Sequence, residues 1–120
     1  MSETAPYPAF ASAVRVDNLV FCSGQIGLEK DGTVPLDPER QFRLAFESVG
    51  AVLAQFGCTA ENIVELTTFH VGFPSHMEEF ASARSAFLDG EKSAWTAIGV
   101  AALGYPDSIV EIKAVAKAVD

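Results

Sequence analysis

One carboxylate stands inside an apolar strand pattern. Glu111 interrupts Ile109-Val110-Glu111-Ile112, shortly after Trp95-Thr96-Ala97-Ile98-Gly99-Val100-Ala101-Ala102-Leu103, a run whose one polar side chain is Thr96. The two runs read as adjacent strands. The first is too apolar to have a wet face and too short to cross a membrane, so it must be buried on both faces, by its own domain or by another subunit. An acid next to it suits general acid–base work or the holding of a water, because desolvation raises a carboxyl pKa. The bland alternative, a strand-end Glu111 that faces solvent or pairs with Lys113 or another charge, carries equal weight on these residues alone.

The other candidates are weaker. Trp95, the single tryptophan, is a core or interface anchor in the commoner case and a pocket wall in the rarer one. Cys22, among alternating apolar residues, reads as a small buried hydrophobe, and Cys58 follows a helix C-terminus, whose dipole disfavours a thiolate. Neither has a histidine at metal-ligand spacing. His70 and His76 fall in a strand and in a helix first turn, where structural roles prevail. Ser23-Gly24-Gln25-Ile26-Gly27 is no nucleophile elbow, and the chain has no P-loop and no GxGxxG. No cofactor or metal is expected.

These residues need elements to hold them. Ala11–Val16 and Leu19–Cys22 flank an Asp17-Asn18 turn and predict a hairpin. Asp37 as N-cap and Pro38 at the first helical position open a helix whose stripe runs Phe42, Ala45, Phe46, Val49, Val52, Leu53, Phe56 and stops at Gly57. Ile63–Val71 predicts a strand. Ser75-His76-Met77-Glu78 has the form of a capping box ahead of a second helix, bearing Met77, Phe80, Ala81, Phe87 and Leu88 and ended by Gly90. The order β-β-α-β-α-β-β, with a further short strand near Gln25–Leu28, predicts an α+β fold: one domain over residues 1–120, with two helices on one face of a mixed six-stranded sheet. The other face stays uncovered and apolar, which points to subunit contacts.

Bulk composition narrows the function. Eight Lys+Arg against 16 Asp+Glu give a net charge of −8 without a basic cluster, so phosphate-backbone binding lacks its main electrostatic term and nucleic acid is not an expected partner. No membrane segment or secretory signal is evident, and two unpaired cysteines suit a cytoplasmic setting.

The chain resembles the RidA/YjgF family, the reactive intermediate deaminases also described as L-PSP endoribonucleases. The resemblance rests on Ala13-Val14-Arg15-Val16 with Asn18-Leu19-Val20-Phe21, Ser23-Gly24-Gln25-Ile26, Phe69, Glu79-Phe80-Ala81, Val100-Ala101 and Val110-Glu111-Ile112, and spans nearly the whole sequence. It implies a chorismate-mutase-like fold assembled as a homotrimer, with small-molecule clefts between subunits. It also implies hydrolysis of 2-imino or enamine acids to 2-keto acids and ammonia, with Glu111 positioning the water.

Three positions depart from the family pattern. The arginine that clamps the substrate carboxylate is replaced by Trp95 in Ser93-Ala94-Trp95-Thr96, and the next residue is Ala97. The family's pocket tyrosine maps to Phe10, and a helix-two asparagine maps near Arg84. Loss of a desolvated bidentate clamp costs roughly 2–5 kcal/mol, about thirtyfold or more in rate. The resemblance therefore implies an Arg-less branch. The expected site comprises Glu111 as catalytic residue, with Trp95, Phe10, Thr96, Ala97, Arg84 and Gly24 around a small imine, enamine or carbonyl compound other than the usual 2-imino acids. A non-catalytic small-molecule binder, and a true 2-imino-acid deaminase with a different clamp, remain the alternatives.

Overall fold

The computed structural model describes residues 11–89 and 93–119. Strands β1 (Ala13–Val16) and β2 (Leu19–Gln25) form the expected hairpin, with Asp17 left-handed at φ 54° in the turn. Helix α1 (Pro38–Ala54) starts where Pro38 predicts, although Asp37 makes no side-chain cap, and Gly57 takes φ 74° just beyond it. A 3-10 turn at Ala60–Asn62 leads into β3 (Ile63–Val71). Helix α2 (Met77–Leu88) is followed by β4 (Ala94–Val100) and β5 (Val110–Lys117).

The predicted capping box does not form. The chain enters α2 through His76 at φ 67°, with no side-chain cap, and leaves it through a left-handed Asp89. Gly90, the expected helix stop, lies outside the described residues.

Among the described residues the sheet has five strands in the order β1-β2-β5-β3-β4, mixed because β3 and β4 run parallel while the other pairs are antiparallel. No separate strand forms near Gln25–Leu28. Instead β2 continues to Gln25 through an irregularity after Cys22. The strands carrying Trp95 and Glu111 are not neighbours, because β3 lies between them. Helix α2 carries the chain from β3 to β4, and such a crossover makes those two strands parallel partners.

Both helices cover one face. Val20 and Cys22 of β2, Leu66 of β3, and Ile112 and Ala114 of β5 meet Phe42, Phe46, Val49 and Leu53 of α1 and Phe80 and Leu88 of α2 in a single core. Gln41, 1% exposed, fastens α1 to the loop before β5: its amide donates to the Pro35 and Asp107 carbonyls at 2.8 and 3.0 Å, and Ile109 N–H donates to its oxygen at 3.0 Å.

The opposite face is open. Strand alternation places Val14, Val16, Phe21, Phe69, Ile98, Glu111 and Val115 there, and Val14, Val16, Phe21 and Ile98 are exposed. Strand β4 is an edge, half-buried at best. Burial on both faces, the expectation from its composition, is not provided by the described residues. No helix among the described residues is long and apolar enough to cross a membrane.

Candidate functional site

The expected site residues divide between the two faces of the sheet. In β5 the alternation that buries Val110 and Ile112 against the helices turns Glu111 to the open face, where it is half-buried opposite Phe69. Its carboxylate lies against Gly24. A Cβ at residue 24 would sit 2.1 Å from Glu111 Oε2, so the absence of a side chain at Gly24 makes room for the acid. Among the described residues nothing hydrogen-bonds or ion-pairs with the Glu111 carboxylate, and Lys113, one partner that the bland reading offers, does not reach it. Gln25 beside it is held by Ser48 of α1, whose hydroxyl donates to the Gln25 amide oxygen at 2.6 Å. Thr96 shares this open face by alternation along β4, in register with Thr67.

Trp95 and Ala97 take the other side. They pair with Leu66 and Thr68, both fully buried against the helices. The indole N–H of Trp95 donates to Thr68 Oγ1 at 2.9 Å, and the same hydroxyl lies 2.8 Å from His70 Nε2. His70 is 3% exposed and rests edge-on against Phe80, ring centroids 4.6 Å apart. Burial lowers its pKa. With a neutral ring accepting the Thr68 proton at Nε2, Trp95, Thr68 and His70 form one hydrogen-bonded chain.

Phe80 also touches Trp95, at 5.9 Å between ring centroids, and the Arg84 guanidinium lies 4.6 Å above the indole. Arg84 and Trp95 therefore meet, as the expected site requires, while Glu111 and Gly24 form a second cluster across the sheet. Phe10 lies outside the described residues. Sequence reasoning missed Thr68 and gave His70 only a structural role, because a hydroxyl and an imidazole two residues apart on a strand become linked to Trp95 only once β3 pairs with β4.

Neither main cavity gathers both clusters. The larger, about 620 Å³, runs between the β2 end and α1 and includes Gly24, Gln25, Glu29, Arg40 and Arg43; Arg40 is paired there with Glu29. The second, about 440 Å³, is a groove between α1 and α2 lined by Phe46, Ala83 and Phe87. No group of acids, histidines and cysteines suited to a metal ion occurs among the described residues. Both cysteines are free and buried, and burial pushes the Cys22 thiol up to about 11, which removes it as a nucleophile.

The chain as a whole is similar to known proteins. The chain is 34% identical to the RutC family protein YjgH of Escherichia coli, over 98% of this chain and 96% of that protein. It is 30% identical to the mouse 2-iminobutanoate/2-iminopropanoate deaminase, over 89% of this chain and 79% of that one. A solved structure of YjgH superposes with a TM-score of 0.84, covering 92% of this chain and 85% of that one at 34% identity. The crystal structure of E. coli TdcF with bound serine superposes with a TM-score of 0.86 at 26% identity, covering 94% and 91% of the two chains. The family described as Endoribonuclease L-PSP matches residues 2–118. The chain belongs to that family, the RidA/YjgF family, and has its fold.

Proposed function

We propose that the protein hydrolyses a small imine, enamine or carbonyl metabolite in clefts formed between the subunits of a homotrimer. The observation that carries this reading is Glu111. It is a carboxylate without a protein partner among the described residues, seated against a glycine whose missing side chain leaves it room. Such a group is free to accept a proton from a water and aim it at an electrophilic carbon.

The split of the site supports the intersubunit part. One sheet cannot turn Glu111 and Trp95 toward the same ligand from opposite faces, whereas two copies can each supply one cluster. The open apolar face and the uncharged edge strand β4 offer the surface such an assembly would bury. Relatives supply the chemistry: the mouse protein is named for 2-imino acids, and TdcF holds serine. Trp95 brings no charge, so β4 does not furnish the carboxylate clamp that the resemblance attaches to this position, and the ligand is gripped differently from the usual 2-imino acids. Cleavage of RNA is not part of the reading, because net charge −8 opposes a polyanion.

The test generates 2-aminoacrylate and 2-iminobutanoate with a dehydratase and follows keto-acid release. Native turnover that Glu111→Ala abolishes supports the reading. A silent native protein that gains a rate in Trp95→Arg means that the chemistry is intact and only the substrate class has changed. Turnover unaffected by Glu111→Ala refutes the assignment.

A further inference from the structure

Strand β2 carries an extra residue at the place where Glu111 stands. Cys22 pairs with Ala114 and Gln25 with Ile112, so β2 takes three steps where β5 takes two. Such a bulge turns the following side chain to the other face of a sheet. In unbroken register Gln25 would stand opposite Glu111 on the open face. The extra residue instead sends Gln25 to the helix side, with Cys22, Ala114 and Ile112. It leaves Gly24 against the Glu111 carboxylate.

Hydrogen bonds tie this bulge to β1 and to α1. The Ser23 N–H donates to the Ser12 carbonyl at 2.8 Å, and the Ser23 hydroxyl donates to the Ala11 carbonyl at 2.9 Å. The Gln25 amide N–H donates to the Ser23 carbonyl at 3.0 Å, and the Ser48 hydroxyl donates to the Gln25 amide oxygen at 2.6 Å. A carbonyl can only accept, so the Gln25 nitrogen must face Ser23 and its oxygen must face Ser48. Packing alone does not hold the amide. Gly24, Gln25 and Ser48 all line the cavity of about 620 Å³ beside α1, which leaves the Gln25 side chain room to swing. The bond from Ser48 is what fixes it.

We propose that Ser48 is a positioning residue for Glu111, acting through Gln25 and the β2 bulge to set where the carboxylate stands. The inference rests on the reading of Glu111 as the group that directs water, and adds what places it. Without the Ser48 hydroxyl the Gln25 amide turns toward the cavity and releases the Ser23 carbonyl. The bulge then relaxes and Gly24 shifts beneath the acid. The clearance there is small, since even a Cβ at residue 24 would stand 2.1 Å from Glu111 Oε2. Helix α1 thus governs a carboxylate on the far face of the sheet.

The experiment reads Glu111 directly in the full chain. With glutamate labelled by carbon-13 at the side-chain carboxyl, the Glu111 resonance is the one that Glu111→Gln removes. That resonance is expected to move in Ser48→Ala and in Gln25→Met, and to return toward its native place in Ser48→Thr, which keeps a hydroxyl. On an imine that the native protein turns over, Ser48→Ala should lower kcat about tenfold and leave KM within about twofold, part of the roughly hundredfold that a 1 Å misplacement costs. Ser48→Ala added to Gln25→Met should cost nothing further, because the two residues lie on one path. An unmoved resonance in Ser48→Ala, losses that add in the double variant, or a Ser48→Thr protein no better than Ser48→Ala would overturn the proposal. If Ser48→Ala keeps the native kcat and resonance while Glu111→Ala abolishes turnover, the base stands and the positioning role falls. If native protein turns over no imine, the hydrolytic reading falls, and the resonance alone decides whether Ser48 places Glu111.

Discussion

Gly24→Ala moves the Glu111 carboxylate without removing it, and so separates the position of the acid from its presence. The new Cβ would lie 2.1 Å from Oε2, 2.7 Å from Cδ and 2.8 Å from Cγ of Glu111. An ordinary carbon–oxygen contact is about 3.3 Å, so the oxygen must retreat by about 1.2 Å. What yields is the end of a flexible side chain, and residue 24 is not in the left-handed region, so the fold should lose no more than about 1 kcal/mol. A reacting group misplaced by about 1 Å forfeits on the order of a hundredfold in rate. The expected result is kcat lower by about that factor, with KM nearly unchanged and a melting temperature within a few degrees of native. Keto-acid release on a substrate that the native chain turns over, paired with thermal denaturation, reads both quantities. A folded Gly24→Ala protein with native kcat would refute the role given to the placement of Glu111.

Three further outcomes follow from the described contacts. Gln41→Leu leaves the Ile109 N–H and the Pro35 and Asp107 carbonyls without their buried partner, and should cost about 2–4 kcal/mol in urea unfolding. His70 is neutral in the fold, with its pKa held by burial below the ordinary 6.5. The unfolded chain therefore takes up a proton first as pH falls through 6.5. Stability should be full above that value and decline below it, by at most about 1.4 kcal/mol per pH unit down to the native pKa, with a slope that His70→Gln abolishes. Cys22, buried and raised to about 11, should resist a disulfide reagent at pH 8 in the native protein and react promptly in guanidinium; rapid native labelling of Cys22 would contradict its burial.

Local elements were the legible part of the sequence. The stripe from Phe42 to Leu53 and the β-branched run from Ile63 to Val71 each follow one period, so α1 and β3 fall where that period places them. Ser75 misled, because a capping box describes a helix start only if the chain arrives extended, and here it arrives through a left-handed His76. The order of strands was not legible. Pairing across β3 is decided by packing between residues far apart in sequence, which no local spacing records. The apolar content of β4 predicts burial on both faces, which the described residues do not provide, since β4 is a largely exposed edge strand. For the site, Glu111 stood out as a charge among apolar residues. The meeting of Arg84, Trp95 and Thr68 did not, since each comes from a different element.

The free edge of β4 has a consequence for the life of a newly made copy. Its seven residues, Ala94–Val100, carry no charge and no proline, the devices that ordinarily keep one sheet from adding a strand of another. A folded copy thus displays a row of unspent backbone donors and acceptors on an apolar ribbon. The subunit contacts proposed above and runaway strand addition would compete for the same edge. Both processes need two copies to meet, so both slow on dilution, and retention in solution depends on which of them is faster at that edge.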